Sequence, residues 1–129
     1  MTEADFIIYA GEDWPQDFQY VDANGDGIDI SDAVSILFVA TSGGASAKPT
    51  CTSPNCIKKS LGSGIEFTDD GTDGGYTVTI NGTTGMGGKT FSYEIKLTDV
   101  NTLERVIYPA PGVQATFNVL ESLTDGVTP

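Results

Sequence analysis

Apolar and polar residues alternate with a period of two through much of this chain. Phe91, Tyr93, Ile95 and Leu97 alternate with Ser92, Glu94, Lys96 and Thr98, the pattern of a strand with one dry face and one wet face. Val113, Ala115, Phe117 and Val119 repeat it against Gln114, Thr116 and Asn118, and Tyr76, Val78 and Ile80 against Thr77 and Thr79. Phe6-Ile7-Ile8-Tyr9 is a short apolar run stopped by Ala10-Gly11, and Phe18 and Tyr20 share one face of another segment. Val34 to Ala40 is apolar except at Ser35; its length and its valine, isoleucine and phenylalanine content favour a central strand over a buried helix. No stretch has the 3.6-residue period of a long amphipathic helix.

Glycine, asparagine, aspartate and proline clusters separate these runs: Asn24-Gly25-Asp26-Gly27, Ser42-Gly43-Gly44, Asp69 to Gly75, Asn81-Gly82, Gly85 to Gly88 and Pro109 to Gly112. About seven short strands at such spacing predict an all-β fold, an antiparallel sandwich. Residues 41–63 are the one long irregular stretch. They hold both cysteines and the lysines Lys48, Lys58 and Lys59, with little apolar material, and a loop of that length in a compact domain is often functional.

The chain has 129 residues, 39% of them hydrophobic, which predicts a single domain over 1–129 with enough interior to fold without a metal. Its net charge of −12 repels phosphate backbones and anionic lipid, so neither nucleic acid nor a membrane surface is an expected partner. Met1 to Asp5 contains neither a basic segment nor a long apolar one, so no secretory signal and no membrane span are expected.

Catalytic chemistry is not expected. The chain has no histidine, which removes Ser-His-Asp and Cys-His arrangements and histidine metal ligands. Gly85-Met86-Gly87-Gly88-Lys89-Thr90 is superficially like a phosphate-binding loop, but that motif needs four residues between its glycines and a helix after it. A flexible hairpin loop over Asn81 to Lys89 is the reading instead. The paired acids Asp69 and Asp70 lie in a glycine-rich turn where solvation accounts for them. Cys51 and Cys56, in Cys-Thr-Ser-Pro-Asn-Cys, are too few for a zinc site. They leave two outcomes open: free thiols, or a disulfide around Pro54-Asn55 worth about 2 kcal/mol on the chain-entropy model.

Val21 to Ala33 has two readings. Asp22, Asn24 and Asp26 at alternate positions, followed by Gly27, look like the start of a calcium loop, and the segment resembles a dockerin loop. Counted from Asp22, however, the twelfth position is Ala33, and the nearest acids, Asp29 and Asp32, fall at the eighth and eleventh. The preferred reading is a tight turn between two strands. In it the Asn-Gly and Asp-Gly pairs supply positive φ, Ile28 and Ile30 point inward, and Asp29 faces solvent. No metal-binding or cofactor residue is therefore assigned, and a calcium ion on Asp22, Asn24 and Asp26 is the alternative.

Residues 4–121 resemble a family of small bacteriophage virion domains found in tail, baseplate and fibre-attachment proteins, including the N-terminal part of upper baseplate proteins. Phe6-Ile7-Ile8-Tyr9-Ala10-Gly11-Glu12-Asp13 is similar to the family's first strand and its Ile-Tyr-x-Gly-Asp/Glu-Asp ending. Asp29-Ile30-Ser31-Asp32-Ala33 stands where that family has Asp-Leu-Thr-Gly-Ala. Phe91-Ser92-Tyr93-Glu94-Ile95-Lys96-Leu97-Thr98-Asp99 is similar to its Tyr-x-Tyr-x-Ile/Leu-x-Leu-Thr-Asp strand. Val100-Asn101-Thr102 departs from the Asn-Gly or Asp-Gly that often follows, and the cysteine loop is an elaboration.

The resemblance implies an Ig-like β-sandwich. It implies a non-enzymatic structural role in a tail, baseplate, fibre attachment or head decoration, with other virion proteins or symmetric copies of itself as partners. It implies a virion location reached from the host cytoplasm without a signal peptide, and a disulfide that forms after release. Expected contact regions are the 41–63 loop, Asn81 to Lys89 and the two termini. The alternatives in other classes are a calcium-stabilised binding or adhesion module and a subunit of an extracellular filament.

Overall fold

A computed structural model describes residues 4–43 and 51–127. The fold is all-β, with no helix among the described residues. Nine strands form: β1 (Phe6–Tyr9), β2 (Trp14–Gln19), β3 (Ser35–Ser42), β4 (Cys56–Leu61), β5 (Gly64–Phe67), β6 (Gly75–Ile80), β7 (Lys89–Thr98), β8 (Glu104–Tyr108) and β9 (Ala115–Leu120). They make one hydrogen-bonded path, β1-β9-β7-β3-β4-β5-β6-β2, with β8 also on β7, and the sheet curls into a nearly barrel-shaped body.

The alternating segments behave as their pattern predicts, except that Val113 precedes β9 and is exposed. Along β7, Phe91, Tyr93, Ile95 and Leu97 are buried and Ser92 and Glu94 exposed. Val34–Ala40 corresponds to β3, whose inner face is Ile36, Phe38 and Ala40. Registered neighbours stack across the interior: Phe6 lies opposite Phe117 and Phe117 opposite Phe91, with ring centroids 4.9 Å and 5.1 Å apart. Burying such rings is the main favourable term holding the strands together.

Several expectations are corrected. The strands number nine rather than about seven, because β4, β5 and β8 bury too few side chains to show a period of two; β8 buries only Ile107. The sheet is mixed, since β1 runs parallel to β9 and β5 parallel to β4. The 41–63 stretch is not one loop. Thr41 and Ser42 end β3, and Cys56–Leu61 is β4, aligned on β3 from Leu37↔Ser60 to Thr41↔Cys56. Lys48 lies outside the described residues, as do Met1 to Glu3 and the last two residues of the termini.

Asn81 to Lys89 is not a hairpin loop either, because β6 and β7 do not pair. β6 sits between β5 and β2, and β7 between β3 and β9, so the segment crosses from one part of the sheet to another. The crossing plugs the interior with Met86 and Thr83, which are 2% and 0% exposed. Nor is Val21–Ala33 a turn between two strands. It is an irregular connection with one isolated bridge, Val21↔Gly27, although Ile30 is buried and Asp29 exposed as expected.

Candidate functional site

In the Asp22–Gly27 turn, Asp22 Oδ1 accepts hydrogen bonds from the backbone N–H groups of Asn24 (2.9 Å) and Asp26 (3.1 Å). The Asp22 N–H donates to the Asp26 carbonyl at 2.8 Å. Gly25 has φ +85°, as the turn chemistry requires. Gly27 is not in the left-handed region. It is glycine because a β-carbon there would stand 1.9 Å from the Asp73 carbonyl oxygen. The two acidic connections, 20–34 and 68–74, are knitted together, with the Ile30 N–H donating to the Gly71 carbonyl at 3.0 Å. Among the described residues no three His, Cys, Asp or Glu side chains converge in a metal-binding arrangement.

Cys51 and Cys56 form a disulfide, which decides between the two outcomes left open by the sequence. It ties the chain entering β4 to the first residue of that strand. Lys58 and Lys59 both lie on β4; Lys59 Nζ donates to Asn81 Oδ1, while Lys58 is exposed.

The two ends of the strand path differ. At the β2 end, the Tyr20 N–H donates to the Gly74 carbonyl, which puts Trp14, Gln16 and Phe18 in hydrogen-bonded pairs with β6. The carbonyls of Pro15, Asp17 and Gln19 therefore face the free edge, where Pro15 supplies no N–H. Proline and acidic side chains are the features that block strand addition. At the β1 end there is no proline, but Glu12 folds back on Tyr9: its N–H donates to the Tyr9 carbonyl and its Oε1 accepts from the Tyr9 N–H, both at 3.1 Å. Ile7 and Tyr9 are 51% and 54% exposed, with Leu120 beside them on β9 and Leu123 beyond it also exposed.

Between the free edge of β2 and the β7–β8 pair lies an open cleft of about 400 Å³ lined by Asp5, Gln16, Asp17, Phe18, Gln19, Tyr93 and Tyr108. It opens where the strand returning along β7 breaks, between Tyr108 at the end of β8 and Ala115 at the start of β9. Tyr93 and Tyr108 stack with centroids 5.7 Å apart, and the Phe18 ring meets Tyr108 edge-on at 5.0 Å. Asp5 Oδ2 accepts hydrogen bonds from the hydroxyls of both Tyr93 (2.6 Å) and Tyr108 (3.0 Å). Burial, and then donation to Asp5, holds the Tyr93 phenol far above its ordinary pKa, and burial also raises Tyr108. Both hydroxyls thus stay protonated as donors to Asp5.

Sequence reasoning placed Phe18 and Tyr93 on strands but did not bring them together. Asp5, Asp17 and Tyr108 were not singled out at all. The only local signal was the run of acids and amides on the exposed positions of a short proline-containing strand. No family model, curated protein or solved structure matches this chain.

Proposed function

We propose that this chain is a non-enzymatic structural domain of a bacteriophage virion, a tail, baseplate, fibre-attachment or head-decoration subunit that works through protein–protein contacts. The observation that carries the reading is the apolar patch on the outer face of β1 and β9, where Ile7, Tyr9 and Leu120 are exposed side by side. Exposed apolar side chains grouped on one face are a contact surface for another chain, and burying them against a neighbouring subunit joins the two.

The strand path also supports the Ig-like sandwich. Strands β1-β9-β7-β3-β4 and β5-β6-β2 form two runs joined by only two residue pairs, Ser60↔Gly64 and Leu61↔Ile65. Packing those runs face to face places Phe38, Phe117, Tyr76 and Ile80 in one core.

Immunogold labelling of particles purified from a lysate of the source culture tests the role. The expected result is label at one repeated position on the particle, with incorporation lost in an Ile7→Lys, Tyr9→Lys variant that still folds. Particles free of the chain, or a variant that incorporates normally, would reject it.

A further inference from the structure

We propose that the cleft beside β2 is a binding site for an arginine side chain presented by a different protein. This goes beyond the assembly role of β1 and does not depend on it, since Ile7, Tyr9 and Leu120 are not among the residues that line the cleft.

The argument starts from what the cleft offers. Its walls are three aromatic rings, Phe18, Tyr93 and Tyr108, and two carboxylates, Asp5 and Asp17, with no base among its lining residues. The tyrosine hydroxyls are spent on Asp5 Oδ2, so their protons are not available to a ligand. Asp17 Oδ1 accepts from the Thr77 hydroxyl at 2.7 Å, and the Gln16 side-chain oxygen accepts from the Trp14 indole N–H at 2.9 Å. Among the described residues, Asp5 Oδ1 and Asp17 Oδ2 accept no hydrogen bond, and the carbonyls of Pro15, Asp17 and Gln19 point out along the free edge of β2.

The unused acceptors of the cleft, two carboxylate oxygens and three edge carbonyls, outnumber its unused donors, chiefly the N–H groups of Asp17 and Gln19 and the Gln16 side-chain amide, and Pro15 removes a further donor. A guanidinium is the complementary group: it is planar, carries five N–H donors and no acceptor, and packs against aromatic rings. An ammonium matches the charge but cannot lie flat on a ring face or bond a carboxylate with two parallel N–H groups. The cleft's two carboxylates sit in a chain of net charge −12, which further favours a cation.

The occupant is not a second copy of this chain. Its single arginine, Arg105, is held by Asp99 at 2.8 Å. The remaining bases are lysines, and Lys59 and Lys89 are bonded to Asn81 and Asn55. The partner is therefore another protein that inserts an arginine at the seam.

The test is a heteronuclear NMR titration of the full 129-residue chain with N-acetyl-arginine amide, N-acetyl-lysine amide and N-acetyl-citrulline amide. The arginine probe is expected to move the amide signals of Asp17, Phe18, Gln19 and Tyr108 in a saturable way, the lysine probe less, and the isosteric neutral citrulline probe hardly at all. Asp17→Asn is expected to weaken the arginine response at least fivefold with the rest of the spectrum unchanged. Asp5→Asn, which keeps an oxygen for the tyrosine hydroxyls, should weaken it similarly. Asp70→Asn, on a remote turn, should leave it intact. Equal responses to arginine and citrulline would overturn the proposal. So would shifts centred on the acidic turns at Asp22–Asp32 and Asp69–Asp73, an Asp70→Asn loss equal to that of Asp17→Asn, or undiminished binding in both cleft variants.

Discussion

Gly27 lies under the Asp73 carbonyl, with no room for a methyl group, and the constraint is backbone against backbone. Gly27→Ala must push the 68–74 connection away from 20–34, at an expected cost of about 1–3 kcal/mol in denaturant unfolding. Asp22 acts differently, as an acceptor for two main-chain N–H groups. Asp22→Ala is expected to lower stability by about 1 kcal/mol, the typical net worth of a lost hydrogen bond. Asp22→Asn, which keeps the oxygen, should stay near wild type. If the turn acts by itself, thermal melts in EDTA and in millimolar calcium will superimpose. A calcium-dependent rise in Tm that both Asp22 variants abolish would instead assign the segment to an ion.

At the scale of elements, β4 depends on its surroundings more than on its own residues. Cys-Ile-Lys-Lys-Ser-Leu has no apolar alternation to drive it, and it lies against β3 through a ladder that begins at Thr41↔Cys56. The Cys51–Cys56 disulfide closes a short loop beside that first pair. Reduction is expected to cost about 2 kcal/mol by the loop-entropy argument, seen as a Tm fall of several degrees. Hydrogen exchange on β4 and the adjoining end of β3 should quicken more than on β6. Uniform quickening across the sheet would mean that the crosslink stabilises the whole body instead. The 81–88 crossing has the opposite character: short of charges and rich in glycine, it reads as a loose tip, yet Met86 is a core residue. Its burial follows from the need to close the interior where β6 and β7 part.

For the whole molecule, charge is unevenly distributed. The bases among the described residues, Lys58, Lys59, Lys89, Lys96 and Arg105, lie on β4, β7 and β8, whereas β2, β5 and the connections 20–34 and 68–74 carry acids and no base. Three of the acids are held below the ordinary aspartate range. Asp29 is lowered chiefly by the Ser31 hydroxyl, Asp70 by the Thr72 hydroxyl, and Asp99 by the Leu103 N–H with help from Asn101 and Arg105. A lowered folded-state pKa gives stability that is complete above the unfolded value of about 3.9 and is lost as the pH falls through the folded values. Burial raises Tyr76, Tyr93 and Tyr108, so the unfolded chain ionises first and stability declines as the pH rises past about 10. Equilibrium unfolding from pH 2 to 12 should therefore show a plateau bounded by an acid fall below about pH 4 and an alkaline fall above about pH 10. Stability that rises steadily on acidification through that lower limit would mean that relief of the net charge outweighs these local bonds.

The alternation of apolar residues by itself determined that this is a β protein and which faces of β6, β7 and β9 are dry, because a period of two leaves a strand only one side to bury; the unbroken apolar runs of β1 and β3 marked strands without marking their dry faces. Glycine, asparagine and aspartate clusters marked the places where the chain must turn, because few other residues tolerate those backbone angles. Tertiary structure decided the rest. Strands β4, β5 and β8 exist because neighbouring edges needed hydrogen-bond partners, a demand that leaves almost no trace in side-chain pattern. Gly27 owes its role to Asp73, far along the chain and brought against it only by the fold, and Met86 owes its role to the core that the crossing enters. The aromatic cleft likewise assembles Asp5, Phe18, Tyr93 and Tyr108 from four separate segments, and only the closure of the sheet sets their rings and carboxylates around one space.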